Sequence, residues 1–239
     1  MAIMGIVELG GIILTQATQR VELAAQNMAN MTTAGYKSRR SFQGLVDSGP
    51  SQFAIAQPAS RSDGMSVDFT VGKLQHTGNP FDLAISGDGF FTIRTETGLF
   101  YTRSGQFNRD TQGRLVTPDG AVLQSTNGDV QVEGDAVSVL MDGTIQQGGQ
   151  PIGQLAIATF DDLQILNPVG SGLFFAPAGT ARDVASPQVR QGMLEASNVT
   201  TANEMISMMA GLRSAETGQR LVQVYDDLME RALTTFGQM

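Results

Sequence analysis

The 239-residue chain has no cysteine, no tryptophan and one histidine. Without thiols there can be no disulfide, no thiolate metal site and no Cys-His nucleophile pair, though this leaves the redox compartment open. His76 stands before Thr77-Gly78-Asn79-Pro80, a turn signal, and reads as a solvated or structural side chain; one histidine cannot build a zinc site. With three tyrosines and no tryptophan, the aromatic platform of a secreted adhesin or carbohydrate-binding module is hard to assemble. Positive charge is also scarce: the formal net charge is −8, which argues against nucleic acid as a partner. No apolar run approaches the roughly 20 residues of a membrane helix, so no membrane insertion is expected. The opening stretch 1–14 lacks the basic n-region and small-residue cleavage site of a secretory signal. Export, if it occurs, is expected to proceed without a recognisable cleaved signal.

Catalytic signatures are equally sparse. There is no Gly-x-Ser-x-Gly elbow, no Ser-x-x-Lys in a fitting context and no twelve-residue calcium loop. The glycines do not form a phosphate-cradling loop that follows a strand and opens a helix. Most aspartates sit in turns, where the carboxylate bonds its own backbone. The expectation is a non-enzymatic chain with no catalytic residues, no metal site and no cofactor.

What the chain does have is helical periodicity at both ends. Val7, Gly10, Leu14, Ala17, Val21, Ala24, Met28 and Met31 recur in steps of three and four, the seam of a coiled coil. Thr32, Thr33 and Gly35 then read as the stop, with Gly35 as a left-handed C-cap. At the other end Met205, Met208, Leu212, Ala215, Val222, Tyr225, Met229, Ala232 and Phe236 keep similar spacing. Thr201 and Glu204 supply a capping box at its start. This second helix spans about 50 Å and needs a partner of similar length. An amphipathic helix packed on its own domain would explain either seam alone. Two seams at opposite ends favour pairing of the termini as an antiparallel, coiled-coil-like hairpin. Small residues at Gly10, Ala17, Ala24 and Ala215 allow close approach. Gly218 and Gln219 interrupt the second seam, where glycine costs about 1 kcal/mol relative to alanine, and a bend or change of partner is expected there. Both seams are candidate subunit interfaces, because a two-helix hairpin has too little core to stand alone. In an isolated monomer these helices are expected to be partly disordered.

The middle differs in composition. Residues 41–190 carry 15 Asp/Glu against 8 Lys/Arg, leaving −1 of the net charge for the two ends. Tyr36-Lys37-Ser38-Arg39-Arg40 is a dense basic cluster that reads as a solvated helix exit, and 48–64 reads as loop. From 72 to 185 short alternating runs occur at 82–86, 90–94, 115–117, 130–132, 137–140, 155–160 and 172–176. Asp88-Gly89, Asp119-Gly120, Asn127-Gly128 and Asp142-Gly143 between them suggest type I′ turns. An antiparallel barrel or sandwich is expected, giving an α+β fold overall. The divisions expected are an N-terminal helix over 1–35, a connector over 36–75, a β-rich domain over 76–190 and a C-terminal helix over 191–239.

Four stretches resemble a known family. Asn27-Met-Ala-Asn-Met-Thr-Thr-Ala-Gly-Tyr-Lys37 is similar to the N-terminal signature of the bacterial flagellar rod and hook axial proteins. Gly78-Asn-Pro-Phe-Asp-Leu-Ala-Ile-Ser-Gly-Asp-Gly-Phe-Phe91 resembles that family's central motif, and the stretch 101–120, opening Tyr101-Thr-Arg-Ser-Gly105, its following block. Gln191-Gly-Met-Leu-Glu-Ala-Ser-Asn-Val199 resembles the segment that introduces the C-terminal helix. Gln26 stands where the family usually has asparagine, and the proline usual after Val199 is missing. The motif positions carried over are Asn27, Asn30, Gly35, Gly78, Asn79, Asp82, Gly87, Gly89, Phe90, Gly105, Gly192, Glu195, Ser197 and Asn198. The resemblance implies a structural rod subunit of the flagellum basal body whose terminal helices form an inner tube beneath a β-rich outer wall. A proximal-rod member fits the length, with a distal-rod sister as the alternative. It also implies copies of itself and neighbouring rod subunits as partners, and export by the flagellar type III apparatus into a rod that spans the periplasm.

Overall fold

The computed structural model describes residues 2–41, 65–134, 137–184 and 187–236; the loop expected over 48–64 lies outside them. The chain divides into two compact units. One comprises Met1–Ala29, Arg39–Ser66 and Val199–Met239, the other Asn30–Ser38 and Val67–Asn198.

The first unit carries two helices, α1 (Ala2–Ala29) and α2 (Thr201–Phe236). Their contacts are made where side chains are smallest. A Cβ placed on Gly211 would lie 2.7 Å from Val21 Cγ2 and 3.2 Å from the Ala17 carbonyl oxygen. One on Gly218 would lie 3.1 Å from Leu14 Cδ1 and 3.4 Å from the Gly10 carbonyl oxygen, and one on Gly10 would lie 3.0 Å from Val222 Cγ2. Ala17 and Ala24 are almost fully buried. At Gly218, the position of the expected bend or change of partner, α2 stays helical without interruption; Gly218 is buried and Gln219 is exposed. The partner does not change there, since α1 lies against Gly211 and Gly218 alike. The absent side chain admits the neighbouring backbone, so a propensity cost of about 1 kcal/mol is offset by packing. The helix opens with Thr200 in the cap position, its carbonyl accepting from the Asn203 and Glu204 amides. The expected cap at Thr201 is thus displaced by one residue.

The second unit is β-rich. Its largest sheet runs, neighbour by neighbour, through Asn167–Gly170, Leu173–Phe175, Gly98–Thr102, Phe90–Thr95, Val122–Ser125, Leu115–Val116 and Asn108–Arg109. Ile157–Thr159 branches from Phe90–Thr95, pairing Ile157 with Phe91. Among the described residues the two ends of this path do not pair with each other, so the expected barrel does not close; Phe90–Thr95 branches to a third strand instead of passing the sheet round. Two clusters share the interior. Leu83, Phe91, Ile93, Phe107 and Leu123 belong to one, and Phe90, Phe160, Leu166 and Phe174 to the other. Phe90 and Phe91, adjacent on one strand, point into different clusters, as the period of two requires. Leu83–Ile85 pairs with Val189–Gln191, and Leu74–His76 with Met193–Glu195, so the two ends of this unit close on each other. His76 is therefore on a strand, with an exposed side chain.

The turns differ from the expected type I′. That turn needs positive φ at both central residues, and among the described residues Ser171 alone has it outside glycine. Instead Gly120 and Gly143, at φ +85° and +80°, stand fourth in their turns and donate back to the Thr117 and Leu140 carbonyls. This is the pattern of a type I turn followed by a left-handed glycine.

Asp129 accepts hydrogen bonds from Arg94 Nε at 3.1 Å and Gln124 Nε2 at 2.9 Å. The bond from Arg94 above all, then that from Gln124, holds its carboxyl below the ordinary value. A carboxyl lowered on folding contributes stability that is present above its unfolded pKa and lost as pH falls through the folded one. Calorimetric melting of Asp129→Asn should therefore lose less on acidification from about pH 5 to pH 3 than the parent does; identical slopes would exclude the contribution.

Candidate functional site

The motif residues converge within the second unit. Lys37 and Glu195, far apart in sequence, form an ion pair with Nζ 2.6 Å from Oε1, both side chains 1% exposed. Lys37 Nζ also donates to the Thr70 carbonyl at 2.7 Å. The same Glu195 oxygen accepts the Gly72 amide at 2.8 Å, while Oε2 accepts from an Arg103 terminal nitrogen at 3.4 Å. The Arg103 guanidinium lies 5.1 Å from the centre of the Phe90 ring, within cation–π range. Glu195 also accepts the Gly35 amide on its backbone carbonyl.

Desolvation pushes the Lys37 and Arg103 pKa values down, and the Glu195 charge opposes it in both. Burying a lone ammonium would be prohibitive; here the carboxylate and a carbonyl replace its water. Backbone fit matters as much as charge. A Cβ on Gly35 (φ +67°) would sit 2.3 Å from the Arg103 carbonyl carbon, and one on Gly105 only 1.5 Å from the Leu83 carbonyl oxygen. Gly35 therefore does not cap α1, which ends at Ala29; it lets this segment press against Arg103.

The remaining motif positions are hydrogen-bonding joints. Asn198 Oδ1 accepts the Ser38 amide at 2.8 Å, and Nδ2 donates to the Asp68 carbonyl at 2.7 Å. Asp82, 5% exposed, accepts from Thr77 Oγ1 at 2.7 Å and Asn79 Nδ2 at 3.1 Å. Its carbonyl accepts the Gly192 amide, and the Gly192 carbonyl accepts the amides of Thr77 and Gly78. Gly89 is buried against Ile157, whereas a Cβ on Gly87 would meet open space. The Asn30 carbonyl accepts the Thr33 amide, and Ser197 is partly buried. In the first unit Asn27, 1% exposed, donates to the Arg39 carbonyl at 2.8 Å and accepts the Arg39 amide at 2.9 Å.

The seam positions divide by exposure. Ala17 and Ala24 are buried; Leu14, Val21, Met28, Met208, Ala215, Val222 and Tyr225 are partly buried; Met31, Met205 and Leu212 are exposed. Ile206, Met209, Val224 and Leu228, which the spacing argument passed over, are exposed as well. Sequence reasoning missed three things here. Lys37 was expected to be solvated and is buried. Arg103 was not singled out. Gly211 and Gly218 are contact points rather than neutral or harmful positions. A usable signal existed for one: Glu195 is a charge set among Met193, Leu194 and Ala196, where a carboxylate needs a buried cation.

Among the described residues the polar groups of the convergence are engaged by side chains or backbone of the same chain, except the buried Arg103 Nε, which has no hydrogen-bond partner; this is the design of a joint. The class defined is a structural subunit with long helical termini. Comparison with known proteins agrees. Residues 84–150 match the flagellar hook protein FlgE/F/G D1 domain, and 190–235 the flagellar basal body rod FlgEFG protein C-terminal family. The chain is 30% identical to the flagellar basal-body rod protein FlgF of Caulobacter vibrioides, over 92% of this chain and 93% of the relative. It is 30% identical to FlgG of Bacillus subtilis, over 88% and 91%, and 31% identical to FlgG of Agrobacterium fabrum, over 87% and 90%. The chain belongs to the flagellar basal-body rod protein family. It is a structural subunit of the rod, located in the flagellum basal body, and assembles with other rod subunits; it is not an enzyme.

Proposed function

We propose that the chain is a proximal-rod subunit whose α1 and α2 act as an antiparallel hairpin in the inner tube of the shaft. The observation that carries this reading is the double-faced character of α2. Its glycine face, through Gly211 and Gly218, lies on α1. Four of its other apolar residues, Met205, Ile206, Met209 and Leu212, are each more than half exposed. An apolar stripe left bare beside a satisfied one suits neighbouring subunits, whose non-closing contacts build a tube. Leu14, Ala17, Val21, Ala24, Met28, Met31, Met205, Met208, Leu212, Ala215, Val222 and Tyr225 are the proposed seam positions, those covered by α1 acting indirectly. Residues 1–35 and 191–239 would form the inner helical domain, 36–75 the connector and 76–190 the outer wall. Export through the flagellar type III apparatus without a cleaved signal, into a periplasm-spanning rod, completes the proposal.

Relatives named FlgF and FlgG match at similar identity, so place along the shaft is the deciding measurement. Gold-labelled antibody on purified basal bodies should mark the membrane-proximal part of the rod; label at the distal end would assign the distal-rod role instead. For the helical mechanism, Leu212→Asp puts a charge on the bare stripe. Circular dichroism of the variant should match the parent, and basal bodies from cells carrying it should lack rods. Rods in normal number would refute the stripe as an assembly surface.

A further inference from the structure

The chain passes between its two units at 29/30, 38/39, 66/67 and 198/199. At the second of these, consecutive backbone amides are each taken by the carboxamide of a motif asparagine. The Ser38 amide donates to Asn198 Oδ1 at 2.8 Å within one unit. The Arg39 amide donates to Asn27 Oδ1 at 2.9 Å within the other. Each asparagine also donates from Nδ2. Asn27 returns a 2.8 Å bond to the carbonyl of the same Arg39, closing a two-bond ring like that of a paired strand residue. Asn198 donates to the Asp68 carbonyl at 2.7 Å, while the Asp68 amide donates to the Ser38 carbonyl at 2.9 Å. One side chain thus ties the chain beside 38/39 to the chain beside 66/67, and Asn198 is itself the residue before 198/199.

We propose that Asn27 and Asn198 are paired clamps that grip the Ser38–Arg39 crossing, one on each side, so that force along the chain there is borne by fixed carboxamides. The role of force rests on the rod reading above; the clamps themselves do not. Asparagine suits the task. It both accepts and donates, as a strand backbone does, and its short side chain loses less rotamer freedom than glutamine would. A merely solvating polar residue would not be 1% exposed, as Asn27 is, nor would it take both bonds of one backbone residue.

Amide exchange by NMR on the purified full chain tests the clamps. Asn198→Ala should speed exchange at Ser38 by about 5- to 30-fold and leave Arg39 unchanged; Asn27→Ala should do the reverse. Amides of Phe90–Thr95 serve as the fold control. Asn198→Asp, which keeps the acceptor and loses the donor, should preserve Ser38 protection. This variant serves if the alanine form fails to fold. Unchanged exchange at Ser38 and Arg39 in the alanine variants, or loss of Ser38 protection in Asn198→Asp with the control intact, overturns the clamps.

Force is tested by swimming in media of rising viscosity. Cells with Asn27→Ala/Asn198→Ala as the sole copy should swim normally in dilute medium and fail at lower viscosity than the parent, with the variant present in their basal bodies. Parental behaviour throughout, with exchange raised at both amides, overturns the force role and leaves the rod reading standing. Absence of the parent protein from purified basal bodies overturns the rod reading and the force role with it.

Discussion

Glu195→Ala is expected to destabilise the β-rich unit by about 3–5 kcal/mol, the range for removing one partner of a buried ion pair. The carboxylate pairs with Lys37 at 2.6 Å and Arg103 at 3.4 Å and also accepts the Gly72 amide. Alanine leaves both cations buried beside a cavity and without their carboxylate acceptor. Most small domains have only about 5–15 kcal/mol in all, so this single change threatens the fold. Urea denaturation followed by far-ultraviolet circular dichroism reads it directly. Lys37→Met added to Glu195→Ala should recover part of the loss, because one stranded charge is gone and methionine keeps the buried stem. A loss under about 1 kcal/mol for Glu195→Ala, the size of a surface pair, would show the group to be solvated. So would a double variant worse than the sum of its parts.

Gly211→Leu is expected to separate α2 from α1 and to abolish rods while sparing the β-rich unit. Two effects compete at this position. Replacing a helical glycine gains about 1 kcal/mol in propensity. Against that, even the first carbon added would lie 2.7 Å from Val21 Cγ2 and 3.2 Å from the Ala17 carbonyl oxygen. Leucine adds three further carbons on the same line. Overpacking costs typically about 1–3 kcal/mol where neighbours can move; a carbonyl oxygen of α1 cannot. Sterics therefore win at Gly211. At Gly218 the nearest atom is Leu14 Cδ1, at 3.1 Å, the end of a flexible side chain. Gly218→Ala should thus be close to neutral, the propensity gain offsetting a small shift of Leu14. Helical content by circular dichroism and rods counted by electron microscopy separate the two. Normal rods from Gly211→Leu would mean that the contact is dispensable for assembly.

The helices were legible because period and length are local. Leu14, Ala17, Val21 and Ala24 repeat regardless of what they touch. The β-rich character was legible for the same reason, from alternation and turn residues. The turn type was misjudged because Asp119-Gly120 and Asp142-Gly143 leave the conformation of the aspartate open; the preceding Thr117-Pro118 and Leu140-Met141 make them the end of a longer turn. Gly218 was misjudged because propensity is a property of one helix, whereas its value here lies in a second helix.

The sequence by itself determined the helical termini, the strand-rich middle and the motifs that mark the family, since each is written in neighbouring residues. Only the tertiary structure decided that Lys37 is buried rather than solvated, that Glu195 serves two cations, and that Asn27 and Asn198 hold consecutive amides. Those facts depend on which distant segments meet, as with Lys37 and Glu195, whose sequence separation is 158. Burial and desolvation are set by the partners that fill the space, and a linear pattern does not contain them.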